Sequence, residues 1–166
     1  MTELAKRRPT RLKGFDYGGN EAYFVTICTH SHKNTLSEIV VGEGLAPPEV
    51  KLSALGKIAE AQILNLPTRF FGVTIENYVI MPNHVHLLIF IDGSDVAGGG
   101  GPSPTLNAVI CAFKSLTVRN YKKLCSADKI WQRSFYDHII RNEKDYSAYW
   151  DYIDNNPSAW VLGKDE

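Results

Sequence analysis

The sequence predicts an α+β domain with an antiparallel sheet, and three observations support this prediction. Strand-like and helix-like stretches follow one another along the 166 residues in the order strand, helix, strand, strand, helix. The two consecutive strands are separated by a short turn around Pro82, which is typical of a hairpin. The composition, with 44% hydrophobic and 22% charged residues, suits one compact domain with its own core. Helices packed on one face of an antiparallel sheet satisfy all three observations.

Composition also excludes several classes of protein. The chain contains no run of about eighteen apolar residues and its basic start has no apolar segment, so we expect neither a membrane span nor a secretory signal. The cysteines Cys28, Cys111 and Cys125 lack Cys-x-x-Cys spacing, which is typical of reduced thiols in a cytoplasmic protein. The formal net charge is zero, so total charge gives no argument for binding nucleic acid.

In the first half of the chain, local patterns predict one strand and one helix. The β-branched and aromatic residues of 22–29 predict a strand. Residues 35–50 carry glycine and proline breakers and are interpreted as a loop. Apolar residues at helical spacing predict a helix that begins after Ser53, a suitable N-cap, and that Pro67 ends.

The second half begins with a predicted hairpin of residues 73–80 and the strand that follows Asn83. Residues 92–104 include four consecutive glycines and are predicted to form a flexible loop within the single domain 1–166. A second helix is predicted over 105–124. A final helix begins at Asn142, where the side chain can cap the backbone three residues on.

Two histidines, His84 and His86, stand two residues apart within an otherwise apolar strand. Successive side chains of a strand alternate between its faces, so both imidazoles point to the same side and can chelate a divalent cation. A pair of half-buried structural histidines would give the same pattern. His30 and His32 repeat the spacing at the polar end of the first strand and are interpreted as surface residues.

The final helix contains the residues that we expect to cover these histidines. Tyr152 and Asn156 are one turn apart, so they lie on nearly the same line of the helix. Two imidazoles and one amide oxygen, with open positions for a phosphate oxygen, suit Mg²⁺ or Mn²⁺ as a Lewis acid. Tyrosine is also a covalent nucleophile. Pro157 disfavours helical geometry at Asn156, so the direction of that side chain does not follow from spacing.

Three groups of basic and aromatic residues are candidates for binding a nucleic-acid backbone. A basic arm spans residues 1–13, cations accumulate on the second helix, and residues 130–142 interleave aromatic rings with arginines. A solvated tail, an exposed helix face and a set of core aromatics are the alternatives. The candidates are Lys6, Arg7, Arg8, Arg11, Lys114, Arg119, Trp131, Arg133 and Arg141.

Three segments in order resemble the REP-associated tyrosine transposases. They are YVIMPNHVH at 78–86, WQRSFYDHIIRN at 131–142 and YIDNNP at 152–157, and the segments RLKGFDY at 11–17 and YFVTICTH at 23–30 are similar as well. These transposases are single-tyrosine relatives of insertion-sequence transposases with a His-hydrophobic-His (HUH) motif. The resemblance covers most of the chain apart from the loops.

The resemblance implies a ferredoxin-like or RRM-like palm with a C-terminal helix that carries the nucleophile. By position, Tyr152 is the nucleophile, and His84, His86 and Asn156 are ligands of Mg²⁺ or Mn²⁺. On chemistry alone Tyr136, Tyr146 and Tyr149 are rivals. The implied activity is cleavage and rejoining of single-stranded DNA at hairpin-containing sites through a 5′-phosphotyrosine intermediate, by a monomer or a homodimer. A hairpin-DNA-binding protein without cleavage and a small metal-dependent phosphodiesterase remain as alternatives.

Overall fold

The computed structural model describes residues 21–93 and 104–163. The predicted basic arm, with Lys6, Arg7, Arg8 and Arg11, and most of the predicted flexible loop lie outside the described residues. The elements in chain order are β1 (Glu21–Cys28), β2 (Ser37–Val40), β3 (Glu49–Leu52), α1 (Ala54–Arg69), β4 (Val73–Ile80), β5 (His84–Ile91), α2 (Leu106–Tyr121), β6 (Tyr136–Ile140) and α3 (Glu143–Val161).

Four of the strands form one antiparallel sheet in the order β4-β5-β1-β6. Strands β2 and β3 form a separate two-stranded hairpin. Apart from that hairpin, the chain runs strand, helix, strand, strand, helix, strand, with β5 and β1 at the centre of the sheet. This is the ferredoxin-like arrangement. The predicted α+β class with an antiparallel sheet is confirmed.

The register of β1 and β5 decides which side chains share each face of the sheet. Thr26 lies opposite His86, and Cys28 lies opposite His84. Directly opposed residues of an antiparallel pair point to the same side. We call this side the histidine face. The other side carries the intervening apolar residues, including Val25 and Val85.

Helices α1 and α2 cover the side opposite the histidine face and build the main core there. Ala59 and Ile63 of α1 and Ile110 and Phe113 of α2 are fully buried against the apolar strand residues. The larger of these side chains, Ile63, Ile110 and Phe113, each contribute about 1.5–3 kcal/mol by leaving water. The layer formed by α1 and α2 supports β1 and β5 on the side opposite the histidine face.

Helix α3 packs across the histidine face. Its residues Tyr146, Trp150 and Ile153 are buried against Phe24 and Leu88 of the sheet. The helix begins as predicted, because the side chain of its N-cap Asn142 accepts a hydrogen bond from the Asp145 amide at 2.9 Å.

A polar contact fixes the far half of α3 on strand β4. The amide of Asn77, which is 8% exposed and follows an irregularity of the strand between Ile75 and Asn77, donates to the Asp154 carboxylate at 2.9 Å. Asp154 lies two residues after Tyr152. The contact therefore sets the position of the helix segment that contains the predicted nucleophile.

Two expectations about elements are wrong, and a third point, which the sequence left open at Pro157, is answered. The predicted loop 35–50 includes β2 and the start of β3, whose short, half-exposed strands give little alternation. Pro67 lies inside α1, where the next bond still forms from the Phe70 amide to the Leu66 carbonyl at 2.9 Å. Pro157 lies inside α3, which continues to Val161. A proline removes one donor, and tertiary packing over a long helix compensates for that loss.

Among the described residues, no helix is both long and apolar enough to cross a membrane.

Candidate active site

The two histidines of β5 lie side by side beneath helix α3. Their ring centroids are 4.4 Å apart, and His84 and His86 are 9% and 4% exposed. Both belong to the second strand from one edge of the sheet, which is held by strands on either side. The predicted sharing of one face is therefore observed, and both rings occupy a rigid part of the molecule.

A hydrogen bond to the Nδ1 nitrogen fixes the orientation of each imidazole. The Asn83 carboxamide oxygen lies 2.6 Å from His84 Nδ1, and the Thr26 hydroxyl lies 2.9 Å from His86 Nδ1. A carboxamide oxygen accepts only, so His84 carries its proton on Nδ1. Threonine can accept in the same way. In each ring Nε2 is then the nitrogen suited to coordinate a metal, and Thr26 and Asn83 act as outer supports of the ligands.

The protonation state of His86 also suits metal coordination. Burial, with a smaller contribution from the neighbouring His84, lowers the pKa of His86 from 6.5 to about 3. The ring is therefore neutral at neutral pH. A metal requires the neutral form of imidazole, so no proton has to leave before binding.

Tyr152 of α3 lies against the histidine pair of its own chain. Its ring centroid is 5.2 Å from that of His86, at an interplanar angle of 66°, and 5.7 Å from that of Phe24. The side chain is 39% exposed. The tyrosine is thus held by aromatic contacts on one side and open to a large substrate on the other.

Asn156 and Trp160 continue the line of Tyr152 along the helix, one and two turns later. The Trp160 ring centroid lies 6.2 Å from that of His84, and Asn156 is 1% exposed. Residues four apart on a helix are neighbours on one face. Since Tyr152 contacts His86 and Trp160 contacts His84, Asn156 lies on the helix line between these two contacts. The sequence left the direction of Asn156 open because Pro157 follows it, and the structure answers this point, because the helix is continuous there.

A cavity of about 500 Å³ opens over this group of residues. His84, His86 and Tyr152 line it together with Cys28, His32 and Trp160. Burial raises the pKa of the Cys28 thiol, so Cys28 is protonated and is a poor nucleophile. The volume is sufficient for a nucleotide-sized group.

The three rival tyrosines occupy different positions. Tyr146 is 3% exposed and packs on Trp150 in the core under α3. Tyr149 lines the cavity but stacks on Phe24 with centroids 4.4 Å apart, and burial raises its pKa. Tyr136 also lines the cavity, from β6. Tyr152 is the tyrosine whose ring contacts His86, which favours it as the nucleophile.

The residues present suit a divalent cation with two imidazole ligands and one amide ligand. Within residues 21–93 and 104–163, no three His, Cys, Asp or Glu side chains group closely enough to hold a metal. Asn156 is buried on the helix line that crosses the pair, so its amide oxygen is a candidate for a third ligand. Such a donor set leaves coordination positions for substrate oxygens.

Two of the predicted DNA-binding residues, Trp131 and Lys114, also have structural contacts. Trp131 is 8% exposed and packs on Phe113, with ring centroids 5.3 Å apart, and its remaining exposed part lines the groove described below. The ammonium of the half-buried Lys114 donates to the carbonyls of Gln132 and Ser134, both at 2.9 Å, and the residue also lines the groove described below. Burial lowers the pKa of Lys114. Both residues anchor the segment that precedes β6.

The remaining basic candidates separate into two places. Arg119 and Arg133 line a groove of about 660 Å³ between α2 and the segment before β6, together with Lys122 and Lys129. Arg141 follows β6 at the opposite end of the sheet from His84, roughly 17 Å along the strand from Tyr136 at 3.4 Å per residue. The structure therefore groups Lys114, Arg119 and Arg133 along one groove and separates Arg141 from them.

His32 is exposed, in agreement with its interpretation as a surface residue, and it also lines the cavity, a position that the sequence pattern did not assign to it. The available signal was its place directly after β1, whose Cys28 end pairs with the His84 end of β5. The supporting roles of Thr26 and Asn83 were also overlooked. Asn83 adjoins the histidine pair in sequence. The role of Thr26 depends on the pairing register of β1 with β5, which cannot be derived from the sequence.

Comparisons with known proteins agree with this architecture. No protein-family model matches the chain. A Haemophilus influenzae (strain ATCC 51907 / DSM 11121 / KW20 / Rd) protein described as uncharacterized is 32% identical over 168 residues, which cover 93% of this chain and 89% of the relative. The chain belongs to the same family as that protein. The REP-associated tyrosine transposase of Escherichia coli (strain K12) is 28% identical over 89 residues, or 52% of this chain and 47% of the transposase, so that match spans about half of its length.

A solved structure shares the fold. The structure of a REP-associated tyrosine transposase bound to a REP hairpin has a TM-score of 0.58 to this chain, with 19% sequence identity, and the match covers 95% of this chain and 73% of that one. These comparisons confirm the predicted resemblance to this group of transposases.

Proposed function

We propose that the chain, as a relative of the REP-associated tyrosine transposases, is a metal-dependent transesterase that cleaves and rejoins single-stranded DNA through a 5′-phosphotyrosine intermediate. The observation that carries this proposal is the contact between the Tyr152 and His86 rings over one open cavity of the same chain. A nucleophile and a metal-ligand pair converge there with room for a phosphodiester.

In the proposed reaction the Tyr152 hydroxyl oxygen forms a bond to phosphorus while the bond from phosphorus to the 3′ oxygen breaks. The phenolic proton passes to water, and the departing 3′ oxygen takes up a proton to become a free 3′-hydroxyl. The 5′ phosphate stays on Tyr152. The same steps in reverse, with the 3′-hydroxyl of another strand, rejoin DNA without an external energy source.

Positioning of the Tyr152 hydroxyl contributes much of the rate acceleration in the proposed reaction, because a free phenol has a pKa of about 10 and is a weak nucleophile at neutral pH. Phe24 and His86 hold the Tyr152 ring at 5.7 and 5.2 Å, and the Asn77 contact to Asp154 at 2.9 Å holds its helix. These contacts orient the hydroxyl before DNA binds. Because Tyr152 contacts His86 within one chain, the arrangement supports a reaction in which the tyrosine and the histidine pair of the same protomer act together, in cis.

A divalent cation, Mg²⁺ or Mn²⁺, would be held by His84, His86 and Asn156. When bound, it withdraws electron density from the phosphate and stabilises the negative charge that develops there. The chain's own contribution is to keep the His86 imidazole neutral and to aim each Nε2 through the hydrogen bonds from Nδ1 to Asn83 and Thr26. Manganese accepts imidazole ligands more readily than magnesium.

The proposed partner is hairpin-containing single-stranded DNA. Its backbone would follow the basic groove lined by Arg119 and Arg133, where Asp128 is the single acidic residue among the lining. Gln132 lines this groove and also contacts His32 of the cavity wall at 3.0 Å. The groove and the cavity are therefore adjacent, which would let one strand pass from one to the other.

The test is formation of a covalent adduct with a single-stranded hairpin oligonucleotide in the presence of Mn²⁺. We expect the wild-type protein to form a heat-stable adduct, which denaturing electrophoresis resolves, and the Tyr152→Phe protein to form none. Tyr149→Phe is the matched control, because Tyr149 lines the same cavity from the same helix and should leave the adduct in place.

Three results would contradict the proposal. An adduct that persists in Tyr152→Phe would remove the assigned nucleophile. Binding of the oligonucleotide by the wild-type protein without any adduct would instead favour a DNA-binding protein. Turnover of phosphodiesters that survives Tyr152→Phe would favour a metal-dependent hydrolase that uses water.

A further inference from the structure

The turn His30–His32 has a backbone that only a closely constrained segment adopts. Ser31 and His32 have φ angles of 56° and 51°, and both are non-glycine residues in the left-handed region. Such conformations are unfavourable for residues with a Cβ and persist where the surroundings fix them, often at functional sites. The turn follows β1 directly, beside the cavity.

Contacts from two other segments hold this turn. Buried Thr29 bonds to the residue before β5 and to the residue after the turn, because its amide donates to the Asn83 carbonyl at 2.9 Å and its hydroxyl donates to the Lys33 carbonyl at 2.8 Å. The His30 amide donates to the Ile130 carbonyl at 2.8 Å. The turn is thus fixed relative to Asn83, which precedes the histidine pair.

Gln132 orients the His32 side chain. The amide nitrogen of Gln132 lies 3.0 Å from His32 Nε2, and an amide nitrogen donates, so Nε2 accepts and the proton of the neutral ring is on Nδ1. The backbone of Gln132 is itself held, because its backbone amide donates to the Cys28 carbonyl at 2.9 Å and its backbone carbonyl accepts from Lys114 at 2.9 Å. His32 therefore presents a defined hydrogen-bond donor.

The cavity lining is poor in cationic side chains. Among the described residues that line it, none is lysine or arginine, and His32 is the one histidine besides His84 and His86. A phosphodiester carries one negative charge, and metal coordination alone does not orient all of its oxygens. A directed donor on the wall would complete the recognition.

We propose that His32 is a substrate-contacting residue of this site, whose Nδ1 proton is donated in a hydrogen bond to a non-bridging oxygen of the phosphodiester that Tyr152 attacks, with Gln132 as its positioning residue. This inference rests on the proposed function, and it adds a third part to the site besides the metal ligands and the nucleophile. The chemical class of the ligand is a nucleic-acid phosphodiester.

The first experiment measures the single-turnover rate of adduct formation with the hairpin oligonucleotide. We expect His32→Ala to lower the rate about 10- to 100-fold, as for loss of one hydrogen bond to a charged group. Gln132→Leu should lower it by a smaller factor, and His32→Gln, which keeps a donor, should recover part of the loss. His30→Ala is the matched control in the same turn and should stay within about twofold of wild type.

Affinity for Mn²⁺, measured by calorimetry, separates a substrate contact from damage to the site. We expect the His32→Ala protein to bind Mn²⁺ as the wild type does. A wild-type adduct rate in His32→Ala would overturn the inference, and so would a loss of Mn²⁺ affinity that accounts for the lower rate.

A second experiment does not depend on cleavage. In the Tyr152→Phe protein, the ¹⁵N resonances of His32 are followed while a thymidine dinucleotide, which has one phosphodiester, is added. We expect the Nδ1 resonance of His32 to move and that of His30 to stay, and we expect Gln132→Leu to alter the His32 resonances before any addition. An unmoved His32 resonance would overturn this inference even if Tyr152 forms the adduct. A moving resonance without any adduct from the wild type would instead contradict the proposed function alone.

Discussion

The neutral, buried His86 makes the metal-free protein sensitive to acid. Because burial lowers the pKa of His86 to about 3 in the folded protein while the unfolded chain titrates near 6.5, the unfolded state binds more protons between these values. The contribution of His86 to stability is therefore complete above pH 6.5 and is lost as the pH decreases toward 3. Each pH unit of difference corresponds to about 1.4 kcal/mol, so the total effect is about 5 kcal/mol.

An effect of this size is comparable with the whole stability of many domains, which is about 5–15 kcal/mol. The assay is urea unfolding of the metal-free protein at several pH values between 7 and 4. The His86→Gln protein is the control, since glutamine can still reach the Thr26 hydroxyl but does not titrate. We expect the wild type to lose stability more steeply than this variant, by up to about 1.4 kcal/mol per pH unit. Parallel curves for the two proteins would refute the reasoning.

Three further predictions concern the contacts that position the site. Thr26→Val should weaken Mn²⁺ binding about 10- to 100-fold in calorimetry, because the His86 ring loses its orienting partner, whereas Thr26→Ser should bind nearly as wild type. Asn77→Ala should lower the free energy of unfolding by about 1–2 kcal/mol, since it removes the 2.9 Å hydrogen bond to the charged Asp154 carboxylate, and urea unfolding that finds no loss would contradict this role. Lys114→Met should speed amide hydrogen exchange in residues 130–135 and cost about 1–3 kcal/mol, whereas the exposed Lys122→Met should change stability by less than about 0.5 kcal/mol.

The local periodicities of the chain predict the parts of the site that lie on regular elements. The alternation of a strand puts His84 and His86 on one face, and the spacing of a helix aligns Tyr152 with Asn156. Both relations are internal to one element, so they need no tertiary information. The start of α3 at Asn142 follows for the same reason, because the cap bonds to a backbone amide three residues away.

Relations between elements do not follow from such local patterns. Whether Lys114 faces solvent or the carbonyls of residues 132–134 depends on how α2 meets a distant segment. The burial of Trp131 against Phe113 has the same origin. His32 lies in an irregular turn whose direction is set by Thr29 and Gln132, and no periodicity describes it.

The order of the elements along the chain gives the site a sequence of assembly. Both histidines belong to β5, and three of the four strands of the sheet precede α2, whereas Tyr152 lies on α3, which follows every strand. Chains emerge from the ribosome from the N-terminus. A nascent chain therefore contains both histidines before Tyr152 has been synthesised. Under the proposed function it cannot cleave DNA until α3 docks. Docking of α3 also buries Phe24 and Leu88 of the sheet. The same step therefore completes the proposed active site and removes from water an apolar surface that could otherwise cause aggregation.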